Sequence, residues 1–299
     1  MNIRIILSFA VIYIIWGSTF TAIKWGLDAF PPFLLSGMRF SLAGMVFFLI
    51  AKGRGIREMT GKEIRREMLV GFFLTLGNAG VCWAEQYISS GIAALIVGAI
   101  PVMFILFNWL GFEKKAPTIS ALIAFAIGLT GITLISLGDA EASNWKVIVA
   151  LMLANCSWVT GSLIFRTSTS KAPYFPRASI QTLSGGMFII FLSNVVGERS
   201  VNWGSLPISG ILSVAYLALA GTILAYTCYS YLLRNVRTEL TSTYALVNPM
   251  LAILFGVVWL KEPFTLKVAI AGGLILMSVV MVIYGDKLFP KPVPVNKKQ

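Results

Sequence analysis

Ten apolar runs, each close to the roughly 20 residues that carry a helix across a bilayer, leave this chain few ways to fold. They cover approximately 5–26, 33–51, 68–88, 91–111, 118–138, 145–165, 174–196, 207–233, 239–260 and 266–285. Lipid offers the backbone no hydrogen bonds, so each crossing must satisfy its own N–H and C=O groups, as a helix does. Only Ser89-Ser90-Gly91 separates the third run from the fourth, which reads as a tight helical hairpin. Nothing between the runs is long enough for a sizeable soluble domain. Composition agrees: 57% of residues are apolar and 12% charged, against about 25% charged in a soluble domain. The expected class is an all-α integral membrane protein with ten transmembrane helices.

The formal charge is +12, but the basic residues lie in short loops rather than on a continuous groove, which argues against nucleic acid. In a membrane protein such an excess marks the cytoplasmic side. With the N-terminus inside, Arg4, Lys62, Arg65, Arg66, Lys171, Arg177 and Arg234 fall inside with eleven others, and only Lys24, Lys146, Arg199, Lys261 and Lys267 fall outside. Both termini are therefore predicted to be cytoplasmic. The first run continues past Trp16 without a small-residue cleavage pattern and reads as a retained span. Cys82, Cys156 and Cys228 lie inside apolar runs with no paired or metal-binding spacing, as apolar fillers. The absence of histidine removes a catalytic triad, an imidazole metal site and a histidine proton relay. No metal or cofactor is expected.

The chain also repeats itself. Pro101-Val-Met-Phe-Ile-Leu-Phe and Pro249-Met-Leu-Ala-Ile-Leu-Phe each lead through an apolar run to an acid, Glu113 and Glu262. At a spacing of 142, Trp16 matches Trp158, Pro31 matches Pro173, Lys24 matches Arg166 and Arg39 matches Gln181. At 144, Gly77 matches Gly221 and Tyr87 matches Tyr231; at 147, Thr118 matches Thr265. Drift of a few residues is what loop insertions produce. Each half has five spans, and an odd number turns the second copy upside down relative to the first. The expected organisation is residues 1–140 and 141–286 as two inverted five-helix repeats, with 287–299 a disordered basic cytoplasmic tail. Inverted repeats are characteristic of transporters, since exchanging the conformations of the halves gives alternating access.

With these residues the chain resembles the drug/metabolite transporter superfamily, specifically its EamA-type ten-helix exporters. The paired stretches Pro101–Glu113 and Pro249–Glu262 carry the resemblance, with Trp16-Gly17-Ser18-Thr19-Phe20 and Arg39, over residues 5 to 285. It implies a bacterial inner-membrane carrier that exports amino acids or related small metabolites through a cavity between the repeats. Alternatives within the class are amphiphilic drugs and sugar or nucleotide derivatives. A subunit that does not transport is a further alternative. A membrane enzyme finds no support: there is no histidine, metal spacing or phosphate loop.

Several residues are candidates for the site. Arg39 lies six residues inside the second span, roughly 9 Å from its outer end at 1.5 Å per residue. A central Arg costs roughly 2.5–3.5 kcal/mol on insertion, and each Leu, Ile, Phe or Val returns about 0.3–0.6. Ten such residues in 33–51 let the span insert, yet the charge still needs a partner or water. It is either an anion hook for a substrate carboxylate or a structural cation paired with Glu85 or reaching the headgroups. Glu85 is the acid placed well within a span and the candidate for proton coupling. Asn78, Cys82 and Glu85 share one helix face, as do the matching Thr222, Tyr226 and Tyr229. That recurring stripe lines a cavity or bonds helices to each other. Trp16, Thr19, Trp158 and Gln181 complete the candidate substrate site. Mid-span Trp16 either stacks on substrate or packs a helix crossing. Pro101 and Pro249 kink their helices, as gating hinges or as fixed bends. Gly128, Gly131, Gly272 and Gly273 permit close packing within one copy, so no oligomer is required. The remaining partners expected are lipid and a small-molecule substrate.

The topology yields a direct expectation. On a background without Cys82, Cys156 and Cys228, a cysteine at position 60 should react with an impermeant thiol reagent only after the cells are permeabilised. Reaction in intact cells contradicts the orientation.

Overall fold

The computed structural model describes residues 2–51, 56, 58–112, 118–136, 145–236, 241 and 244–288. Ten helical segments stand among them. In the first half these are α1 (Ile3–Ala29), α2 (Pro32–Ala51), α3 (Gly61–Ala84), α4 (Ser90–Gly111) and α5 (Ile119–Ser136). In the second half they are α6 (Trp145–Arg166), α7 (Tyr174–Val195), α8 (Ile208–Asn235), α9 (Tyr244–Phe255, extended by a π turn at Gly256–Leu260) and α10 (Leu266–Leu288). Seven are long and apolar enough to cross a membrane; the apolar stretches of α5, α9 and α10 are shorter. The described residues contain no strand. Glu113, Glu141, Glu239 and the tail from 289 lie outside the described residues.

The surface is the inverse of a soluble protein's. Leu49, Leu110, Leu153, Phe191 and Leu212 are exposed, while Arg39, Glu67, Glu85, Asn155 and Gln181 are buried. Lipid accounts for both, because apolar side chains cost nothing against acyl chains and polar ones must find partners inside.

Helix packing follows a rule. α2 lies along α7, α4 along α9 and α5 along α10. α3 packs on α6 as α8 packs on α1, and α6 touches α4 as α1 touches α9. Exchanging each helix with the one five places along leaves this pattern unchanged. Two of the three π segments obey the same exchange, since Asn108–Phe112 follows Pro101 and Gly256–Leu260 follows Pro249 at an identical interval. The cores are shared between the halves. One buried cluster joins Phe47 and Val70 to Phe165, Tyr226, Tyr244 and Val279.

Two loop carboxylates tie the halves together. The second half's Glu198 accepts from the Phe33 and Leu34 amides at 2.9 and 3.0 Å, capping α2. Its Glu262 accepts from the Ser90 amide at 2.7 Å, the Ser90 hydroxyl at 2.8 Å and the Gly91 amide at 3.3 Å, capping α4. A carboxylate at a helix N-terminus meets both unpaired N–H groups and the positive end of the dipole. Glu262, read from sequence as a span boundary, is thus also an inter-repeat clasp.

One boundary differs from the expectation in a way that matters. α3 begins at Gly61, not 68, because Thr60 and Glu63 form a capping box, with the Thr60 amide donating to Glu63 at 2.9 Å and Thr60 Oγ accepting from the Glu63 amide at 3.3 Å. Hydropathy passes over this polar first turn. It therefore also missed that Glu67 is a buried helix residue and that Arg177, counted as a cytoplasmic charge, is buried beside it.

Where α3 meets α7 the backbones nearly touch. A Cβ on Gly71 would stand 2.0 Å from the Gln181 carbonyl oxygen. Gly71→Ala is expected to lower stability by about 1–3 kcal/mol, the usual cost of overpacking. Gly273→Ala, which opens onto space with nothing within 4 Å, should leave it unchanged. Thermal unfolding in detergent compares the two, and equal midpoints would contradict the packing.

Candidate functional site

A cavity of about 110 Å³ opens at the centre, lined from both halves. α1 contributes Trp16 and Thr19, α2 Arg39, α3 Thr75 and Asn78. The second half contributes Asn155 and Trp158 from α6, Gln181 and Thr182 from α7, Thr222 and Tyr226 from α8, and Tyr244, Asn248 and Pro249 from α9.

Local irregularity shapes the wall. The middle of α8 is a π segment, Leu217–Leu224, a feature that leaves carbonyls outside the α-helical pattern. The Trp16 indole donates to the Gly221 carbonyl there at 3.0 Å. α4 is interrupted at Gly98–Ala99, and Pro101 takes the second position of the helix that follows, where no N–H is required. Pro249 sits inside α9. Of the two prolines, Pro249 lines the cavity and Pro101 is buried outside it.

Arg39 is the cation of the wall, 4% exposed. Its Nε donates to Thr222 Oγ1 at 2.9 Å, and Thr222 passes its own proton to the Leu217 carbonyl at 2.9 Å. The guanidinium carbon also lies 4.9 Å from the centre of the Phe40 ring. Among the described residues its direct contacts are a neutral hydroxyl and a ring face, with no ion pair.

Aromatic rings close one side. Trp16 packs on Tyr229 at 5.0 Å, Tyr244 at 5.1 Å and Trp158 at 6.1 Å between ring centres. Tyr229 does not line the cavity; it supports the rings that do. Trp16 thus lines the cavity and packs on rings from α6, α8 and α9.

The candidates separate into two groups. Trp16, Thr19, Arg39, Asn78, Trp158, Gln181, Tyr226 and Pro249 gather around one space. Glu85, Tyr229 and Pro101 stand outside it. Glu85 closes α3 as its C-cap residue, fully buried, with no hydrogen-bond partner among the described residues on either carboxylate oxygen. The charges acting on it are Lys24, Glu262 and Arg39, but no ion pair joins it to Arg39 among the described residues.

A chain of polar contacts that sequence reasoning missed stands behind the cavity. Glu67 accepts from Arg177 Nε at 2.7 Å and from the Gln181 amide nitrogen. Gln181 in turn accepts from the Tyr226 hydroxyl at 2.7 Å. The capping box at Thr60 was the available signal.

The EamA-like transporter family matches residues 3–137 and 145–284. The chain belongs to that family. Its two matched segments coincide with the two sets of five helices. The Escherichia coli K12 protein named as an uncharacterized inner membrane transporter, YedA, is 34% identical over 287 residues, covering 94% of this chain and 92% of that one. The Bacillus subtilis transporter YdfC is 26% identical over 291 residues, covering 95% and 92%. An Archaeoglobus fulgidus transporter is 25% identical over 271 residues, covering 90% and 94%. One solved crystal structure shares the fold at a TM-score of 0.66 and 18% identity, over 94% of this chain and 97% of that chain. An EamA-like membrane transporter is therefore the class of this protein.

Glu85 permits a check on this geometry. Replacing a buried, unpartnered polar group by an apolar one of similar shape is neutral or stabilising, whereas losing a real hydrogen bond costs about 1–3 kcal/mol. Glu85→Met should melt in detergent at the wild-type temperature or above it. A clearly lower midpoint would reveal a partner for the carboxyl.

Proposed function

We propose that this EamA-like protein is an inner-membrane carrier that exports amino acids or related small metabolites by alternating access. The repeats are inverted in the membrane, both termini are cytoplasmic, and one copy suffices. Arg39 carries the reading. A cation held in lipid is costly unless it is paired, and this one faces a cavity with a neutral hydroxyl and a ring face as its contacts and no ion pair among the described residues. A substrate carboxylate completes it. The volume of about 110 Å³ falls below the roughly 300–1,000 Å³ of drug-sized pockets, which favours a small metabolite over an amphiphilic drug. Trp16, Trp158 and Tyr244 supply apolar contact, and electron-rich faces for an ammonium.

Alternating access follows from the shared wall. A site built from both halves is remade when the halves exchange conformations. Glu198 and Glu262 sit at the end where α2 and α4 begin, so opening that end means releasing the Glu262 clasp. Glu85 is the proton-coupling candidate: a buried carboxyl with no hydrogen-bond partner is cheaper neutral than charged, and it becomes a carrier of protons when an opened conformation wets it.

The test is counterflow in proteoliposomes loaded with individual amino acids and metabolites. Arg39→Ala should insert normally and lose more than tenfold of the flux. Glu85→Gln should lose pH-driven flux and keep counterflow. Wild-type flux in both variants, with unchanged pH dependence, would remove both residues from the mechanism. Absence of flux for every amino acid in the wild type would overturn the substrate class.

A further inference from the structure

Hydroxyl protons decide what this cavity offers a ligand. Thr19 donates to the Trp16 carbonyl at 2.7 Å, Thr75 to Gly71 at 2.9 Å, Thr182 to Ala178 at 2.7 Å and Thr222 to Leu217 at 2.9 Å. A hydroxyl has one proton, so these four present only lone pairs. Of the two tyrosines on the wall, Tyr226 and Tyr244, Tyr226 donates to Gln181 Oε1 at 2.7 Å. Its direction differs in kind, because an amide can turn over and reverse it.

What prevents the reversal is Glu67. An ionised carboxylate only accepts, and Glu67 is ion-paired with Arg177 at 2.7 Å. Gln181 must therefore turn its nitrogen to Glu67 and its oxygen to Tyr226, and Tyr226 must donate. All four side chains are buried, so no water is needed to explain the order. We infer that Glu67, which does not line the cavity, is a positioning residue that sets the Gln181 amide and thereby makes the Tyr226 corner an acceptor of N–H donors. Resting on the amino-acid reading above, this gives the cavity two ends: Arg39 for a carboxylate, and the oxygen of Tyr226 for the ammonium. Neither Glu67 nor Glu85 lines the cavity, so the ammonium is met by neutral oxygens and ring faces, not by an acid.

Glu67→Gln supplies an amide that can donate. Gln181 is then free to turn over, Tyr226 becomes the acceptor within the protein, and its proton is released toward the cavity. The experiment compares L-leucine with 4-methylpentanoate, the same skeleton without the amine, in proteoliposomes. The inference expects the preference for L-leucine to fall about tenfold in Glu67→Gln, through KM, with 4-methylpentanoate little changed. Tyr226→Phe should remove the same preference, and Glu67→Gln added to Tyr226→Phe should change it no further, which independent sites would not do. A merely structural Glu67 would lower the maximal rate for both compounds alike and add to Tyr226→Phe; that result overturns the inference.

Glu67→Gln leaves Arg177 buried beside a neutral amide, and breaking such a pair is strongly destabilising. The double variant Glu67→Gln/Arg177→Gln removes the charge together with its counter-charge and serves if the single variant does not fold. A substrate-free readout stands beside the transport assay: the C–O stretch of Tyr226, assigned by its loss in Tyr226→Phe, differs between a donating and an accepting hydroxyl. It should move in the Glu67 variants. An unmoved band overturns the relay even if L-leucine proves not to be a substrate, whereas a moved band with no flux of any amino acid upholds the relay and sinks only the amino-acid reading.

Discussion

Inside lipid, a donor or acceptor that finds no partner in the protein finds none at all. That constraint organises this structure. The Glu67–Arg177 pair, the Gln181–Tyr226 contact and the Arg39–Thr222 contact are all ways of keeping polar groups in a body whose surface is Leu, Phe and Ile. The Asn155 amide donates across to the Ile96 carbonyl at 2.9 Å, and Ser157 to the Phe73 carbonyl at 2.7 Å, for the same reason. Once such partners are assigned, two charged side chains stand apart. Among the described residues, Arg39 faces a space between the halves without an ion pair, and Glu85 is buried with nothing bonded to either oxygen.

The second constraint is closeness. Gly37 and Gly186 let α2 and α7 approach until an added Cβ would fall within 3 Å of the facing backbone, and small residues of this kind drive helix association in membranes. The fifth and tenth helices meet similarly, with Gly128 against Ser278 and Gly131 against Ala271 and Ile275. These seams join one half to the other, so a cavity between halves is bounded by tightly packed pairs. Glu198 and Glu262 add carboxylate caps from the second half onto helices of the first.

Much of this was legible in the sequence, and the reasons are physical. Apolar runs of fixed length announce helices because bilayer thickness is fixed, and the repeat survived as Trp16 with Trp158 and Pro101 with Pro249. The stripe on α3 and α8 was readable because helix periodicity places Asn78, Thr222 and Tyr226 on inward faces. The same periodicity put Glu85 and Tyr229 on that stripe, yet both end up outside the cavity, since a shared face is wider than the space it borders. Glu67 and Arg177 were lost to a boundary. Hydropathy averages away a polar first turn, and only the Thr60-x-x-Glu63 capping pattern could have recovered it. The π segments were invisible, because a helix that widens by one residue per turn keeps the same composition. The inter-repeat caps join residues more than 160 positions apart, which no local pattern reports.

The central claim is that one cavity between the repeats is reached from each side of the membrane in turn. A single cysteine at Asn78, with Cys82, Cys156 and Cys228 replaced, tests it in right-side-out and inside-out vesicles. The account predicts labelling by an impermeant thiol reagent in both preparations and protection by transported substrate in both. Labelling from one side only, unaffected by substrate, would contradict it.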